Sequence, residues 1–237
     1  MLTLPILTAE QMRQWEEDSW KNGISQLDVI RIVGAVVPKY VLRIIYDTIS
    51  DCYNVLESDS EESQKGVEQM MQMQQILVLV GPGHNGDDAR VAAKFLRGKV
   101  KEVQVLEVKD TQKALKTFKK LVADRKNFFE PMTASSKFCP TFILDGMFGI
   151  GLNRPLSQDY VDLISAVNEC QIPIVAVDIP SGYNADSGKL LGETGVRADI
   201  TVTFAYMKKG MLLGDCKAAA GKMVVADVGI YLERGTD

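Results

Sequence analysis

The chain contains one histidine, His84, and no G-x-S-x-G stretch. Mechanisms built on Ser-His-Asp or Cys-His would all depend on that single residue, without the strained turn that presents a serine nucleophile. The four cysteines, Cys52, Cys139, Cys170 and Cys216, form no C-x-x-C pair, which argues against a zinc site. No apolar run reaches the ~18 residues of a membrane span, and no basic-then-apolar leader opens the chain. Reduced thiols in a cytoplasmic setting, with no membrane partner, are therefore expected. Excess positive charge is missing as well. The formal net charge is −4, against the basic face of most nucleic-acid binders, so no nucleic-acid partner is expected. Lys113, Lys116, Lys119 and Lys120 recur at helical spacing and read as a solvated helix face.

What is present fits one globular domain over residues 1–237. With 46% hydrophobic and 24% charged residues, a chain of this length can bury a substantial core. N-terminal helices are expected within residues 1–50. Thr8-Ala-Glu-Gln11 is a capping-box pattern that should start a short helix through about Ser19. Gly23 breaks it, Ser25 can cap a second, largely apolar helix, and Pro38 should kink or split that helix. Residues 57–66, ESDSEESQKG, read as an acidic surface loop. Met70, Met71 and Met73 beyond it read as packing or a contact surface. From Ile76 onward, short apolar runs alternate with helix-period stretches. Strands are expected at 76–80, 103–108, 141–144, 174–177, 199–204 and 222–227. Helices are expected at 88–97, 111–123 and 158–170, with Asp88 as a candidate N-cap. Such alternation implies an α/β fold of parallel βαβ units, with helices on both faces of the sheet.

Three of these strands end in loops of unusual chemistry. They are Gly81-Pro-Gly-His-Asn-Gly-Asp-Asp88, Asp145-Gly-Met-Phe-Gly-Ile-Gly-Leu-Asn-Arg-Pro155 and Asp178-Ile-Pro-Ser-Gly182. Ligands of open parallel sheets sit beyond the carboxyl ends of the strands, so all three loops would share one rim. Singly, each could be a tight turn or a helix cap. Turn geometry alone does not require an aspartate three times. The first loop fits G-x-G-x-x-G, yet Asp87 and Asp88 would place two carboxylates in the field that attracts a pyrophosphate. At an effective dielectric near 20, like charges ~4 Å apart repel by about 4 kcal/mol. This loop therefore suits hydroxyls or a cation better than a diphosphate, although Glu107, near the end of the next strand, could imitate a ribose-binding acid. Asn85, Asp145 and Ser181 offer oxygen ligands from three loops, a set that suits a hard, monovalent cation. The glycine-rich turn around Gly149 and Gly151, with Arg154 nearby, is the candidate cradle for an anionic ligand group.

These motifs resemble the NAD(P)H-hydrate epimerase family, the YjeF N-terminal domain. The family's first loop, G-x-G-N-N-G-G-D-G after a strand, is similar to GPGHNGDDA here. Its D-x-x-F-G-x-G resembles Asp145-Gly-Met-Phe-Gly-Ile-Gly151, and its D-[IV]-P-S-G resembles Asp178-Ile-Pro-Ser-Gly182. The opening LTAEQM, the stretch TVTFAYMKKG around Lys208 and the closing GKMVVADVGI are similar too, so the resemblance spans nearly the whole chain. It implies a Rossmann-like three-layer α/β/α sandwich with a mostly parallel sheet, often dimeric. The implied reaction interconverts the R and S epimers of hydrated NADH and NADPH, NAD(P)HX, in nicotinamide nucleotide repair. The resemblance further implies potassium held by Asn85, Asp145 and Ser181. Substrate contacts are implied from His84, Asn85, Gly86, Asp87, Asp88, Gly149, Ile150, Gly151, Leu152, Asn153, Arg154, Pro155 and Asp178. A separate NAD(P)HX dehydratase is implied as a partner in the pathway. The reaction calls for a carboxylate as acid/base. Asp145 and Asp178 are the candidates, with Asp88 third, and Asp178 is the better one if Asp145 mainly holds the ion.

The sequence departs from the family pattern in the first loop. His84 stands for the usual first Asn, Asp87 for the second Gly of a pair and Ala89 for a further Gly. The early helix motif M-E-x-A-G remains only as Ile-Arg-Ile-Val-Gly34. A side chain at Asp87 occupies a place where backbone would approach a ligand. It is the main support for a second reading, a non-catalytic dimerising scaffold or binding module with a decayed pocket. A third reading, a dinucleotide-dependent oxidoreductase, rests on the glycine fingerprint alone. Retention of Asp145, Asp178 and Ser181 favours the epimerase.

Overall fold

The computed structural model describes residues 5–52, 61–123 and 138–230. A short strand, β1 (Ile6–Leu7), leads into α1 (Ala9–Lys21), which starts with the expected capping box. Thr8 Oγ1 accepts from Gln11 N at 3.2 Å, and Gln11 Oε1 accepts from Thr8 N at 2.8 Å. Helix α2 (Gln26–Cys52) runs unbroken through Pro38, so the expected split does not occur. Val33, Val37, Val41 and Ile45 of this helix are buried. Burial of each is worth about 1.5–3 kcal/mol, which together outweighs the ~3 kcal/mol cost of an interior proline.

Helix α3 (Glu61–Met73) begins inside the stretch expected to be a loop. Val67, Met70 and Met71, at i, i+3 and i+4, pack on the core, and the helix extends back from them through acidic residues whose composition hid it. Residues 57–60 of that stretch lie outside the described residues. The alternating part of the chain follows: β2 (Gln75–Val80), α4 (His84–Leu96), β3 (Glu102–Glu107), α5 (Thr111–Val122), β4 (Phe142–Gly146), α6 (Gln158–Glu169) and β5 (Ile174–Val177). It ends with β6 (Ile200–Phe204), β7 (Met207–Lys208), a 3-10 turn (Lys209–Leu212), α7 (Cys216–Ala219) and β8 (Lys222–Ala226).

Six strands form one parallel sheet in the order β3-β2-β4-β5-β6-β8. Strand β1 pairs with β7 in a separate two-stranded patch. Both faces of the large sheet are covered, as the unbroken apolar run QILVLV requires. Ile76, Val78 and Val80 face a core shared with α2 and α4, while Leu77 and Leu79 face one shared with α5 and α6. This is the period-two alternation of a strand, filled on both sides. Gly34 of α2 lies so close to Val91 of α4 that a side chain at position 34 would run into it. Strand order reverses between β2 and β4: the chain moves outward from β2 to β3, then returns to the other side of β2. The loops after β2 and β4 part there and open a crevice at the carboxyl ends of the strands.

Candidate active site

The first loop enters α4 four residues earlier than the sequence suggested. Gly83 is the N-cap, and Asp88 lies in the second turn rather than at the cap. A side chain on Gly86 would strike the Gly81 carbonyl, and one on Gly81 the Met147 carbonyl. Only glycines let this turn close on itself and rest against the second loop.

Closure of the turn sends neighbouring side chains in different directions. His84 is exposed at the mouth of the cleft, with Nε2 2.7 Å from Gln26 Nε2. Asn85 is buried, and neither its amide oxygen nor its nitrogen has a hydrogen-bond partner among the described residues. Asp88 is buried and faces the cleft. Asp87 turns away: its Oδ1 accepts from Arg90 Nη1 at 2.5 Å, and Arg90 also donates to both oxygens of Glu107, at 3.0 and 2.9 Å. Asp87 and Glu107 therefore belong to an outer ion-pair network. Of the first-loop residues for which the resemblance implies substrate contact, His84, Asn85 and Asp88 line the cleft and Gly86 and Asp87 do not.

Asp178 follows β5 in a strained turn. Its φ is +72°, and Ile179 N donates back to Val177 O at 2.9 Å. A γ-turn with a positive central φ is rare outside glycine, and such strain concentrates at functional sites. The Asp178 carboxylate, 4% exposed, is ion-paired to the fully buried Lys208, with Nζ 2.5 Å from Oδ1. Lys208 Nζ also donates to Thr203 Oγ1 at 2.8 Å and to the Phe204 carbonyl at 3.1 Å. A Cβ on Gly149 would lie 3.2 Å from both Asp178 Oδ2 and Asn85 Cβ. Glycine there lets the backbone of the second loop settle onto both side chains.

Asp145 plays a different part. Its Oδ1 accepts from Ser181 Oγ at 2.7 Å and Met147 N at 3.1 Å, and its Oδ2 accepts from Ser181 N at 2.9 Å. Ser181 Oγ in turn accepts from Phe148 N at 2.9 Å. The pair ties the second loop to the third and stands behind the cleft wall rather than in it. Burial raises the Asp145 carboxyl above its usual range, opposed by its bonds from Ser181 and Met147. Of the two candidate acid/base carboxylates, Asp178 lines the cleft and Asp145 does not.

The cleft has a volume of about 860 Å³ and is walled by the loop from Gly149 to Pro155, with Arg154 exposed on it. Three further lining residues, Glu16, Trp20 and Lys208, carry no loop motif. Met12, Glu16 and Trp20 fall at i, i+4 and i+8 on one face of α1, a spacing that could have marked them. Burial raises the Glu16 carboxyl, helped by the charge of Asp178; His84, Lys208 and Arg13 pull the other way. Asp88 is pushed well above the usual carboxylate range, by burial first and then by Asp178, Glu16 and Asp87, with Lys208 opposing. The cleft thus gathers a paired carboxylate, a buried ammonium and two acids biased toward their neutral forms.

A parallel sheet with an acid-lined, glycine-walled cleft at its strand-order reversal defines a Rossmann-like α/β protein with a cleft where open parallel sheets hold ligands. The chain belongs to the family described as YjeF-related protein N-terminus, which matches residues 52–210. The NAD(P)H-hydrate epimerase of Weissella koreensis is 38% identical over 161 residues, covering 67% of this chain and 72% of that protein. The NAD(P)H-hydrate epimerase of Limosilactobacillus reuteri (strain DSM 20016) is 32% identical over 233 residues, 97% of this chain and 99% of that one. The crystal structure of yeast ynu0 shares the fold, with a TM-score of 0.58 over 98% of this chain and 91% of the yeast chain at 16% identity.

Proposed function

We propose that this chain is an NAD(P)H-hydrate epimerase, interconverting the R and S forms of NAD(P)HX in nicotinamide nucleotide repair. The observation that carries this reading is the Asp178–Lys208 pair, held in a strained turn at the floor of the cleft. In the substrate, the hydroxyl-bearing ring carbon is bonded to the ring nitrogen. Breaking the C–O bond with the nitrogen lone pair leaves an iminium-like cation and releases water once the oxygen gains a proton. Water then adds to the other face of the ring and gives up a proton. Asp178 supplies a fixed negative charge for that cation and an acceptor for the proton. Asp88, biased to its neutral form by burial, is suited to donate a hydrogen bond to substrate. The loop from Gly149 to Pro155, with Arg154, is the wall suited to the diphosphate.

Asn85, Asp145 and Ser181 fit a potassium ion on their own chemistry. The buried Asn85 oxygen is without a hydrogen-bond partner, and Asp145 is a fully buried carboxyl with no cationic partner among the described residues. Potassium held there would supply positive charge against these oxygens and brace the loops behind the cleft. The scaffold alternative loses its main support, because the Asp87 side chain points out to Arg90. A cytoplasmic homodimer working beside a separate dehydratase completes the proposed setting, and light scattering of the purified protein tests the dimer. No helix among the described residues is long and apolar enough to cross a membrane.

Proton NMR of R-NADHX in potassium buffer tests the activity. The S epimer should accumulate faster with the protein than in the blank; equal rates would overturn the proposal.

A further inference from the structure

We infer that Glu16 is the second proton-carrying catalytic group, so that Glu16 and Asp178 serve the two faces of the nicotinamide ring. This rests on the epimerase reading. Inversion by loss and return of water needs a proton donor on the face the hydroxyl leaves and an acceptor on the face where water arrives. A single carboxylate cannot sit within hydrogen-bond reach of both faces of a ring held in place. Asp178 projects from the sheet; the second group must come from another wall.

Glu16 has the placement for this. It lines the cleft from α1, half-buried, and among the described residues no hydrogen bond or salt bridge occupies its carboxyl. The helix that carries it is fixed at several points. Strand β1, just before it, pairs with β7 in a register that sets Leu7 opposite Lys208. Ala9 N donates to Asp186 Oδ1 at 2.6 Å. The Trp15 ring meets Tyr206 edge-on, with centroids 6.0 Å apart and an interplanar angle of 86°. The same two-stranded patch therefore positions both Glu16 and the lysine that pairs with Asp178. Asp88 is the rival, but it is more deeply buried and faces the negative charges of Asp178, Glu16 and Asp87. That field keeps its proton in place, which suits a permanent donor rather than a group that cycles. Glu16 sits nearer solvent, with His84, Lys208 and Arg13 favouring its charged form against burial.

In one direction, the protonated Glu16 gives its proton to the departing hydroxyl as the C–O bond breaks and the ring nitrogen takes up the positive charge. Water adds from the other side, and its proton passes to the Asp178 carboxylate. The opposite epimer uses the two groups in reversed roles, and exchange with solvent resets both.

Turnover in oxygen-18 water, followed by mass spectrometry and NMR, tests the division of labour. Wild type should invert each epimer with uptake of label. Glu16→Gln should lose inversion by a factor of about 10² or more, yet keep enzyme-dependent label exchange into the one epimer whose hydroxyl faces Asp178. Asp178→Asn should keep exchange only in the other epimer. Glu16→Asp should restore part of the inversion. Loss of exchange and inversion together in Glu16→Gln, or inversion at the wild-type rate, would overturn the inference. So would exchange without inversion in Asp88→Asn instead. A wild-type protein that neither inverts nor exchanges would instead refute the epimerase reading itself, and this inference with it.

Discussion

Replacing Lys208 with methionine should destabilise the fold by about 3–5 kcal/mol. With Nζ 2.5 Å from Asp178 Oδ1, the attraction at an effective dielectric near 20 is about 7 kcal/mol. Desolvating the two ions costs several kcal/mol each, so the intact pair contributes little net stability. Removing one member is another matter. Asp178 would remain 4% exposed with no counter-charge, and Thr203 Oγ1 and the Phe204 carbonyl would each lose a donor. Methionine keeps an unbranched stem of similar length, so lost packing is a minor part of the effect. The double variant Lys208→Met, Asp178→Asn removes both charges and should regain roughly 2–4 kcal/mol over the single variant. Urea unfolding of the wild type, both single variants and the double measures this coupling, provided the slopes agree. A Lys208→Met protein within ~1 kcal/mol of wild type, or a double variant no more stable than the single, would refute the reasoning.

Further outcomes follow from the same geometry. Burial first, then the neighbouring carboxylates, hold the Asp88 carboxyl well above the usual carboxylate range, so its contribution to stability is full below the ordinary carboxylate pKa and is lost as pH rises through the raised, folded-state one. Asp88→Asn should therefore unfold at higher urea than wild type near neutral pH, with the gap closing toward pH ~4; a gap independent of pH would contradict this. Gly149→Ala places a methyl 3.2 Å from Asp178 Oδ2 and Asn85 Cβ, so kcat should fall while the unfolding midpoint moves little. Asp87→Gly removes an outer ion pair with Arg90 and should cost no more than about 1 kcal/mol, leaving the epimerisation rate unchanged. A sharp rise in rate would revive the decayed-pocket reading. Potassium chloride in place of tetramethylammonium chloride should raise Tm in the wild type but not in Asn85→Ala; equal increments would remove Asn85 from the ion site.

Much of the sheet was legible because its chemistry is local. QILVLV is too short and too uniformly apolar for a surface helix, and it forms β2 between its two covering layers. The three aspartate loops follow strands that the topology sets side by side, so a parallel sheet was enough to place them on one rim. Two features were misread for physical reasons. Helix α4 starts at His84, because the close approach of Gly81 and Gly86 forms the turn without any side-chain cap, whereas sequence rules look for the cap. Pro38 marks a break only if local cost decides, and tertiary burial of α2 decides instead. The meeting of Glu16 and Lys208 in one site was hidden for another reason. They lie at opposite ends of the chain and meet only because β1 pairs with β7, two strands of two residues each with no pattern to read.

The most direct test concerns the carboxylate after β5. Steady-state conversion of R-NADHX to the S form should be measured for wild type and for an Asp178→Asn protein shown to be folded by its urea transition. A kcat lower by about 10² or more, with KM little changed, is the predicted result. An Asp178→Asn protein that epimerises as fast as wild type would contradict it.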